Sequence, residues 1–216
     1  FIHFGLTSED VNNIAYGKIL QEGTKQILQP ILVLIEKLID LSKKYKKTPM
    51  LARTHGQPAT PTTLGKEFAV YLDRLFKTTD KLLSRSLNLT GKIGGASGNL
   101  NAHRVAYPEI DWISFSKKLL KELGLTPNIA VTQIDPKESI ADLFFGLIQV
   151  NNSLIDLARD CWLYIYNGYF NQKKKKGEVG SSTMPHKLNP IDFENAEGNL
   201  SKANSDLYFI ANYISK

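Results

Sequence analysis

Apolar residues recur along this chain at spacings of three and four residues in four long segments. These segments cover residues 11–47, 62–89, 138–170 and 191 to the end. Such spacing places the apolar side chains on one face of an α-helix. A shorter helix is predicted at residues 113–123, and no segment shows the alternation of period two that is typical of a β-strand.

The predicted helices are longer than the usual globular range of about 8 to 20 residues. Long helices bury their apolar stripes by packing side by side, so the pattern predicts an all-α fold, an elongated long-helix bundle. The stripes are wide, and we expect their uncovered faces to pack against other copies of the chain. No repeat or Pro-rich linker interrupts residues 1–216, which are therefore expected to form a single helical-bundle domain.

The chain starts without a methionine, at what resembles the edge of a motif. We therefore expect it to be the central domain of a longer protein, without the flanking N- and C-terminal parts. Its 216 residues, 42% of them hydrophobic, are enough to bury a core. No run of about 18 uncharged apolar residues occurs, which predicts no membrane span. The lone Cys161 excludes an internal disulfide framework and is typical of a cytoplasmic protein.

A formal net charge of +6 raises the question of anionic partners. Part of the excess lies in two runs, residues 43–47 and 173–176, each with four lysines. Tyr45 is the one aromatic residue in the two runs, which therefore lack the repeated aromatic positions of a base-stacking surface. Both runs are interpreted as solvated, and no nucleic-acid partner is predicted. The same field would steer a small, multiply anionic substrate.

The segment at residues 180–190, GSSTMPHKLNP, gathers hydroxyl, ammonium and amide groups on a Gly-led stretch without helical periodicity. Asn189 and Pro190, followed by Asp192 and Glu194, predict a helix start with Asn189 as the N-cap. A helix N-terminus beside Lys187 favours a substrate carboxylate. The alternative interpretation is a solvated linker between two helices.

Two further polar segments adjoin predicted helix ends. In the first, Thr7 and Asp10 form a capping arrangement, which serves helix stability alone or also binds a carboxylate. In the second, residues 53–63, His55 precedes a glycine among hydrogen-bonding groups. A histidine there is either a proton donor or acceptor, or a buried structural residue.

Metal and phosphate sites receive little support. The four histidines are scattered and Cys161 is alone, so no metal site is predicted. Residues 94–98, GGASG, resemble a phosphate loop but lack the Lys-Ser/Thr pair that would follow. We interpret these glycines as allowing close backbone packing beside a site.

Several long strings resemble the fumarase/aspartase superfamily, and within it the adenylosuccinate lyase family. They are TSEDVNN, THGQPATPTTLGKE, GKIGGASGNLNAHRVAYPEIDW, VTQIDP and GSSTMPHKLNPIDFENAEGN, and the resemblance covers essentially the whole chain. His186 follows Met-Pro where fumarase-like loops have Gly and argininosuccinate lyase-like loops have Gln. The alternatives are another lyase of the superfamily, such as one acting on argininosuccinate, or a non-catalytic basic helical scaffold.

The resemblance implies an enzyme of purine nucleotide biosynthesis that needs no cofactor. It would eliminate fumarate from adenylosuccinate, giving AMP, and from the succinylaminoimidazole carboxamide ribotide, giving AICAR. By resemblance Ser181 is the base, His55 the acid and Glu194 the carboxylate that pairs with the histidine, although His55 as the base stays open. The implied substrate-binding residues are Thr7, Ser8, Thr54, Gln57, Gln133, Ser182, Met184, Lys187 and Asn189. The family is homotetrameric, with active sites shared between subunits.

Overall fold

A computed structural model describes residues 2–173, 183–184 and 186–215. In chain order these residues form α1 (Ser8–Lys44), β1 (Pro49–Thr54), β2 (Gln57–Thr63), α2 (Leu64–Leu87), β3 (Thr90–Gly91), a 3₁₀ turn (Gly95–Ser97), α3 (Asn101–Ala106), α4 (Trp112–Glu122), β4 (Thr126–Pro127), α5 (Glu138–Tyr166) and α6 (Ile191–Ile214). The prediction of an all-α, long-helix bundle is confirmed.

The core lies where the long helices pack, with α1 against α2, α2 against α5 and α5 against α6. The apolar stripes supply it at the predicted spacing, for example Leu28, Ile31, Ile35 and Leu38 on α1. Full burial of one leucine side chain stabilises the fold by about 1.5 to 3 kcal/mol. Neighbouring long helices run antiparallel, since Arg85 near the end of α2 pairs with Asp142 near the start of α5.

The antiparallel order gives the bundle two ends that are built from different elements. The hairpin end carries the β1–β2 hairpin, the start of α2, the end of α5 and the start of α6, as shown by the Tyr164–Glu67 and Trp162–Glu194 contacts. The Thr7 end carries the start of α1 and residues 89–137. At 1.5 Å per residue, the 24 residues of α2 alone separate the two ends by about 36 Å.

The prediction of a chain without strands was wrong. Strands β1 and β2 form an antiparallel hairpin in which Pro49 lies opposite Thr63 and Thr54 opposite Gln57. Most residues of both strands are exposed, so no buried face imposes an alternating apolar pattern that the sequence could reveal. A second, two-residue parallel pairing joins β3 to β4.

Helix α5 has the length and composition of a membrane-crossing segment, with a mean hydropathy of 1.2 over its most apolar stretch. In this structure it packs between α2 and α6, and Asp142 and Asp156 on it pair with arginines of α2. Core helices of soluble proteins reach the same length and hydropathy, so the composition of α5 is weak evidence for a membrane-spanning helix.

Helix α6 contacts the rest of the bundle mainly through α5 and buries only Ala211 among its 24 residues. Its outward face carries large side chains, including Tyr208 (61% exposed), Phe209 (67%) and Tyr213 (71%). An apolar face of this kind is typical of an interaction surface.

Candidate active site

The start of α1 is fixed by a capping box. Thr7 occupies the N-cap, and its backbone N–H donates to Asp10 Oδ2 at 2.8 Å. The predicted capping arrangement is therefore confirmed. Ser8, the first helical residue, is exposed. Capping leaves the Ser8 side chain and the open helix end facing solvent, where an anion is favoured.

Asp10 is buried and bound on all sides. It accepts hydrogen bonds from the backbone N–H groups of Gly94 (2.9 Å) and Gly95 (3.1 Å), and its Oδ1 lies 2.8 Å from Lys92 Nζ. Burial by itself raises the pKa of Asp10, but hydrogen bonds from Lys92, Thr7 and Gly94 and the Lys92 charge outweigh it, so the pKa lies below its ordinary value. Asp10 is therefore an ionised structural anchor.

The glycine loop, residues 91–98, packs closely against its surroundings as predicted. A side chain at Gly98, whose φ is +78°, would lie 2.2 Å from the Val131 carbonyl oxygen. The N–H groups of Gly94 and Gly95, which a phosphate would need, are already taken by Asp10. The loop therefore holds the start of α1 and does not act as a phosphate loop.

Gln133 joins Thr7 at this end of the bundle. Its Nε2 donates to Thr7 Oγ1 at 3.2 Å across 126 positions of sequence. The same segment supplies Lys137, whose Nζ lies 3.3 Å from Glu9 Oε1. Three of the predicted substrate-binding residues, Thr7, Ser8 and Gln133, are thus brought together.

His55 lies in the tight turn of the β1–β2 hairpin, at the hairpin end. Its φ of +53° is left-handed, and the following Gly56 shares this conformation with φ +73°. The side chain is exposed, so the alternative of a buried structural histidine is wrong. Thr54 and Gln57, the adjoining strand residues, are opposite each other and exposed beside it.

Two side-chain hydrogen bonds fix the hairpin, one to the bundle and one within its turn. Tyr169, just beyond α5, donates its hydroxyl to the Leu51 carbonyl at 3.2 Å, and Arg53 Nη1 donates to the Gly56 carbonyl at 3.0 Å. These bonds fix the base and the turn of the element that carries the imidazole. The bond to Tyr169 could not be predicted from the sequence, because Tyr169 follows Leu51 by 118 residues.

The polar segment at residues 180–190 is only partly described by the structure. Ser181 and Ser182 lie outside the described residues. Met184, Lys187 and Asn189 are exposed, and Lys187 N–H donates to the Met184 carbonyl at 2.9 Å. The predicted N-cap was wrong, because Pro190 and not Asn189 precedes the first helical residue of α6.

Glu194 lies in the first turn of α6 and accepts a hydrogen bond from Trp162 Nε1 at 3.2 Å. No hydrogen bond joins it to His55 within the part of the chain that the structure describes. Both residues lie at the hairpin end, so the predicted acid–carboxylate pair shares an end of the bundle without direct contact.

Sequence reasoning missed a polar cavity of about 300 Å³ beneath the hairpin. Glu67 and Asp160 line it, and each accepts a hydrogen bond from a tyrosine, Tyr164 and Tyr71 respectively. Burial, followed by the bonded carboxylates, raises the pKa of both phenols above the ordinary value. The only available signal was Glu67 within the string THGQPATPTTLGKE.

Cys161 is buried in α5, as its apolar surroundings predicted. Burial, assisted by the neighbouring Asp160 charge, raises the pKa of its thiol to about 11. A thiol of this kind is almost entirely protonated at neutral pH and is a poor nucleophile.

One chain therefore does not assemble a complete site from the predicted residues. His55, Thr54, Gln57, Glu194, Lys187 and Asn189 belong to the hairpin end, whereas Thr7, Ser8 and Gln133 belong to the Thr7 end. A small dicarboxylate cannot bridge about 36 Å of helix. The two groups can act on one substrate only if different copies of the chain contribute them.

The chain as a whole is similar to known lyases. A family described as lyase matches residues 1–204. Relatives named adenylosuccinate lyase include those of Dictyostelium discoideum, 53% identical over 95% of this chain and 45% of that protein, and Escherichia coli strain K12, 47% identical over 99% and 47%. The chain thus spans about half the length of the curated relatives it matches.

Solved structures share the fold. A fumarate lyase from Mesorhizobium sp. BNC1 aligns with a TM-score of 0.72 at 23% identity, covering 99% of this chain and 46% of that one. A 3-carboxy-cis,cis-muconate lactonizing enzyme from Pseudomonas putida aligns with a TM-score of 0.74 at 28% identity, covering 95% and 45%.

Proposed function

Because the chain belongs to the lyase family, within the fumarase/aspartase superfamily, we propose that its protein is an adenylosuccinate lyase. The reaction is a β-elimination that releases fumarate from a succinylated purine nucleotide or its imidazole carboxamide precursor. The observation that carries the proposal is the 53% identity to a protein of that name across 95% of the chain. The argininosuccinate lyase and scaffold alternatives receive no support from these relatives.

The elimination requires two proton transfers. A base removes the proton next to one succinyl carboxylate, the C–N bond breaks, and an acid protonates the departing nitrogen. We assign the base to Ser181 and the acid to His55, whose exposed position in the hairpin turn lets it reach a substrate held by another copy. Glu194 is assigned to the same end as the carboxylate that supports the imidazole.

Binding of the anionic succinyl group is favoured by positively charged side chains and by helix N-termini. Lys187 and Asn189 precede the start of α6, and Thr7, Ser8 and Gln133 lie at the start of α1. Thr54, Gln57, Ser182 and Met184 complete the proposed binding set. No resident cofactor enters this scheme.

The separation of the two ends supports an active site shared between subunits. We propose a homotetramer in which the hairpin end of one chain meets the Thr7 end of another, and the exposed aromatic face of α6 supports such packing. Residues 1–216 would form one helical domain, the central one of a longer cytoplasmic protein. Neither nucleic acid nor a membrane is a proposed partner.

The test is fumarate release from adenylosuccinate by the intact protein, followed by ultraviolet absorbance. We expect Ser181→Ala and His55→Ala each to lower turnover by a factor of about 100 or more, with assembly unchanged. Lys117→Ala serves as the matched control, because Lys117 is an exposed residue on α4 that does not belong to the proposed site. Near-wild-type turnover in both variants would remove the assigned acid and base.

A further inference from the structure

The first turn of α1 carries two acidic residues directly beside the proposed carboxylate-binding residues. Glu9 and Asp10 follow Thr7 and Ser8 in sequence. Carboxylates stabilise a helix N-terminus, but they also repel a second anion bound there. A substrate carboxylate can bind at this helix end only if the charges of Glu9 and Asp10 are offset.

Each of these acids is paired with a lysine from a different segment. Lys92 Nζ lies 2.8 Å from Asp10 Oδ1, with the two side chains 0% and 1% exposed. Lys137 Nζ lies 3.3 Å from Glu9 Oε1, with side chains 29% and 16% exposed. Both negative charges of the first turn are therefore cancelled locally, and the helix N-terminus keeps its positive character.

Hydrogen bonds from other residues fix the backbone of both lysines. Asn13 of α1 clamps Lys92, accepting from its N–H at 2.8 Å and donating to its carbonyl at 3.1 Å. Asp135 accepts from the N–H of Lys137 at 3.3 Å. Each lysine side chain therefore extends toward its acidic partner from a fixed backbone position.

We propose that Lys92 and Lys137 are positioning residues that neutralise Asp10 and Glu9 so that the start of α1 can hold a substrate carboxylate. This inference rests on the proposed function, and assigns to these lysines a task distinct from contact with the substrate. Its signature is electrostatic: removing a lysine charge weakens anion binding, whereas removing an acid charge does not.

The experiment measures KM for adenylosuccinate, kcat and the dissociation constant of fumarate in the intact protein at low ionic strength. Lys137→Gln, at a partly exposed pair, is expected to raise KM and the fumarate constant about fivefold, with kcat within about twofold. Glu9→Gln is expected to leave both constants equal to or below wild type. The double variant is expected to return close to wild type.

Lys92→Met is expected to show the same effect more strongly, because its pair is fully buried. If Lys92→Met does not fold, the Glu9 and Lys137 variants decide. Gln21→Met is the control. Gln21 also joins α1 to other segments, through hydrogen bonds to the Ser86 and Gly124 carbonyls, but it lies about three helical turns from Glu9 and Asp10.

Two results would overturn the inference: wild-type constants in folded Lys137→Gln, or weakened fumarate binding in both Lys137→Gln and Glu9→Gln, which is the mark of a merely structural pair. A wild-type protein that neither releases nor binds fumarate would instead remove the proposed function, and this inference with it. Wild-type turnover with unaffected lysine variants removes the inference alone.

Discussion

Gly98 shows how single positions hold the Thr7 end together. Its φ of +78° is left-handed, and an added Cβ would lie 2.2 Å from the Val131 carbonyl oxygen and 2.6 Å from that of Thr132. Those residues lead directly to Gln133, which contacts Thr7. One glycine therefore sets the approach of two segments that the proposed site requires.

We predict that Gly98→Ala lowers the free energy of unfolding by roughly 3 kcal/mol or more, from backbone strain and steric overlap. The matched control is Gly23→Ala on the exposed side of α1, where the added Cβ has no neighbour within 4 Å apart from the adjoining residues and the backbone of the helix itself. That substitution is expected to stabilise the helix by about 0.5 to 1 kcal/mol. Urea unfolding measures both changes, and equal effects would contradict the steric explanation.

At this scale the sequence revealed residue chemistry but not contacts. The TSED string predicted a cap, and the structure has it at Thr7 and Asp10. Nothing local predicted that Lys92 would pair with Asp10, because the partners lie far apart in the chain and meet only through the fold. Asn189 was wrongly predicted as an N-cap, since the neighbouring Pro190 takes that position.

Among the elements, the long helices were predictable and the hairpin was not. Helical periodicity identified α1, α2, α5 and α6 within a few residues. In α1, α2 and α5 the apolar spacing marks the stripe that is buried in the core, whereas α6 buries only Ala211. Strands β1 and β2 bury almost nothing and so leave no period-two signal. The element that carries His55 was thus recognised as polar and non-helical, while its strand pairing was missed.

Helix α6 permits a prediction about assembly. Phe209 and Tyr213 stack on its outward face with ring centroids 5.9 Å apart. Replacing both with serine is expected to dissociate the proposed tetramer, since the buried aromatic contact area is lost, while helical content is unchanged.

Sedimentation analysis and circular dichroism measure these two properties of α6. Val105→Ser, at a residue that is 85% exposed on the short α3, is the control and is expected to keep the assembly. A double variant with the wild-type sedimentation coefficient would exclude this face from the interface.

For the whole molecule, the decisive feature is the distribution of site residues over opposite ends. It leads to a complementation prediction: His55→Ala and Gln133→Ala chains, each inactive alone, regain activity when mixed under conditions that exchange subunits. Each hybrid site then combines an intact hairpin end with an intact Thr7 end.

Mixing His55→Ala with His55→Gln chains is the matched control, because both carry the defect at the same position and no intact site results. Fumarate release before and after exchange is the measurement. Absence of any gain despite demonstrated exchange would contradict an active site that combines His55 of one chain with Gln133 of another.

If the two halves of the proposed centre belong to different chains, the active enzyme forms only on association, and its amount follows the mass-action equilibrium between chains. Specific activity should decline upon dilution below the dissociation constant of the oligomer, and substrate, by bridging the partners, should slow that decline. Damage to a surface remote from the chemistry can then abolish turnover solely by shifting the equilibrium toward separated chains.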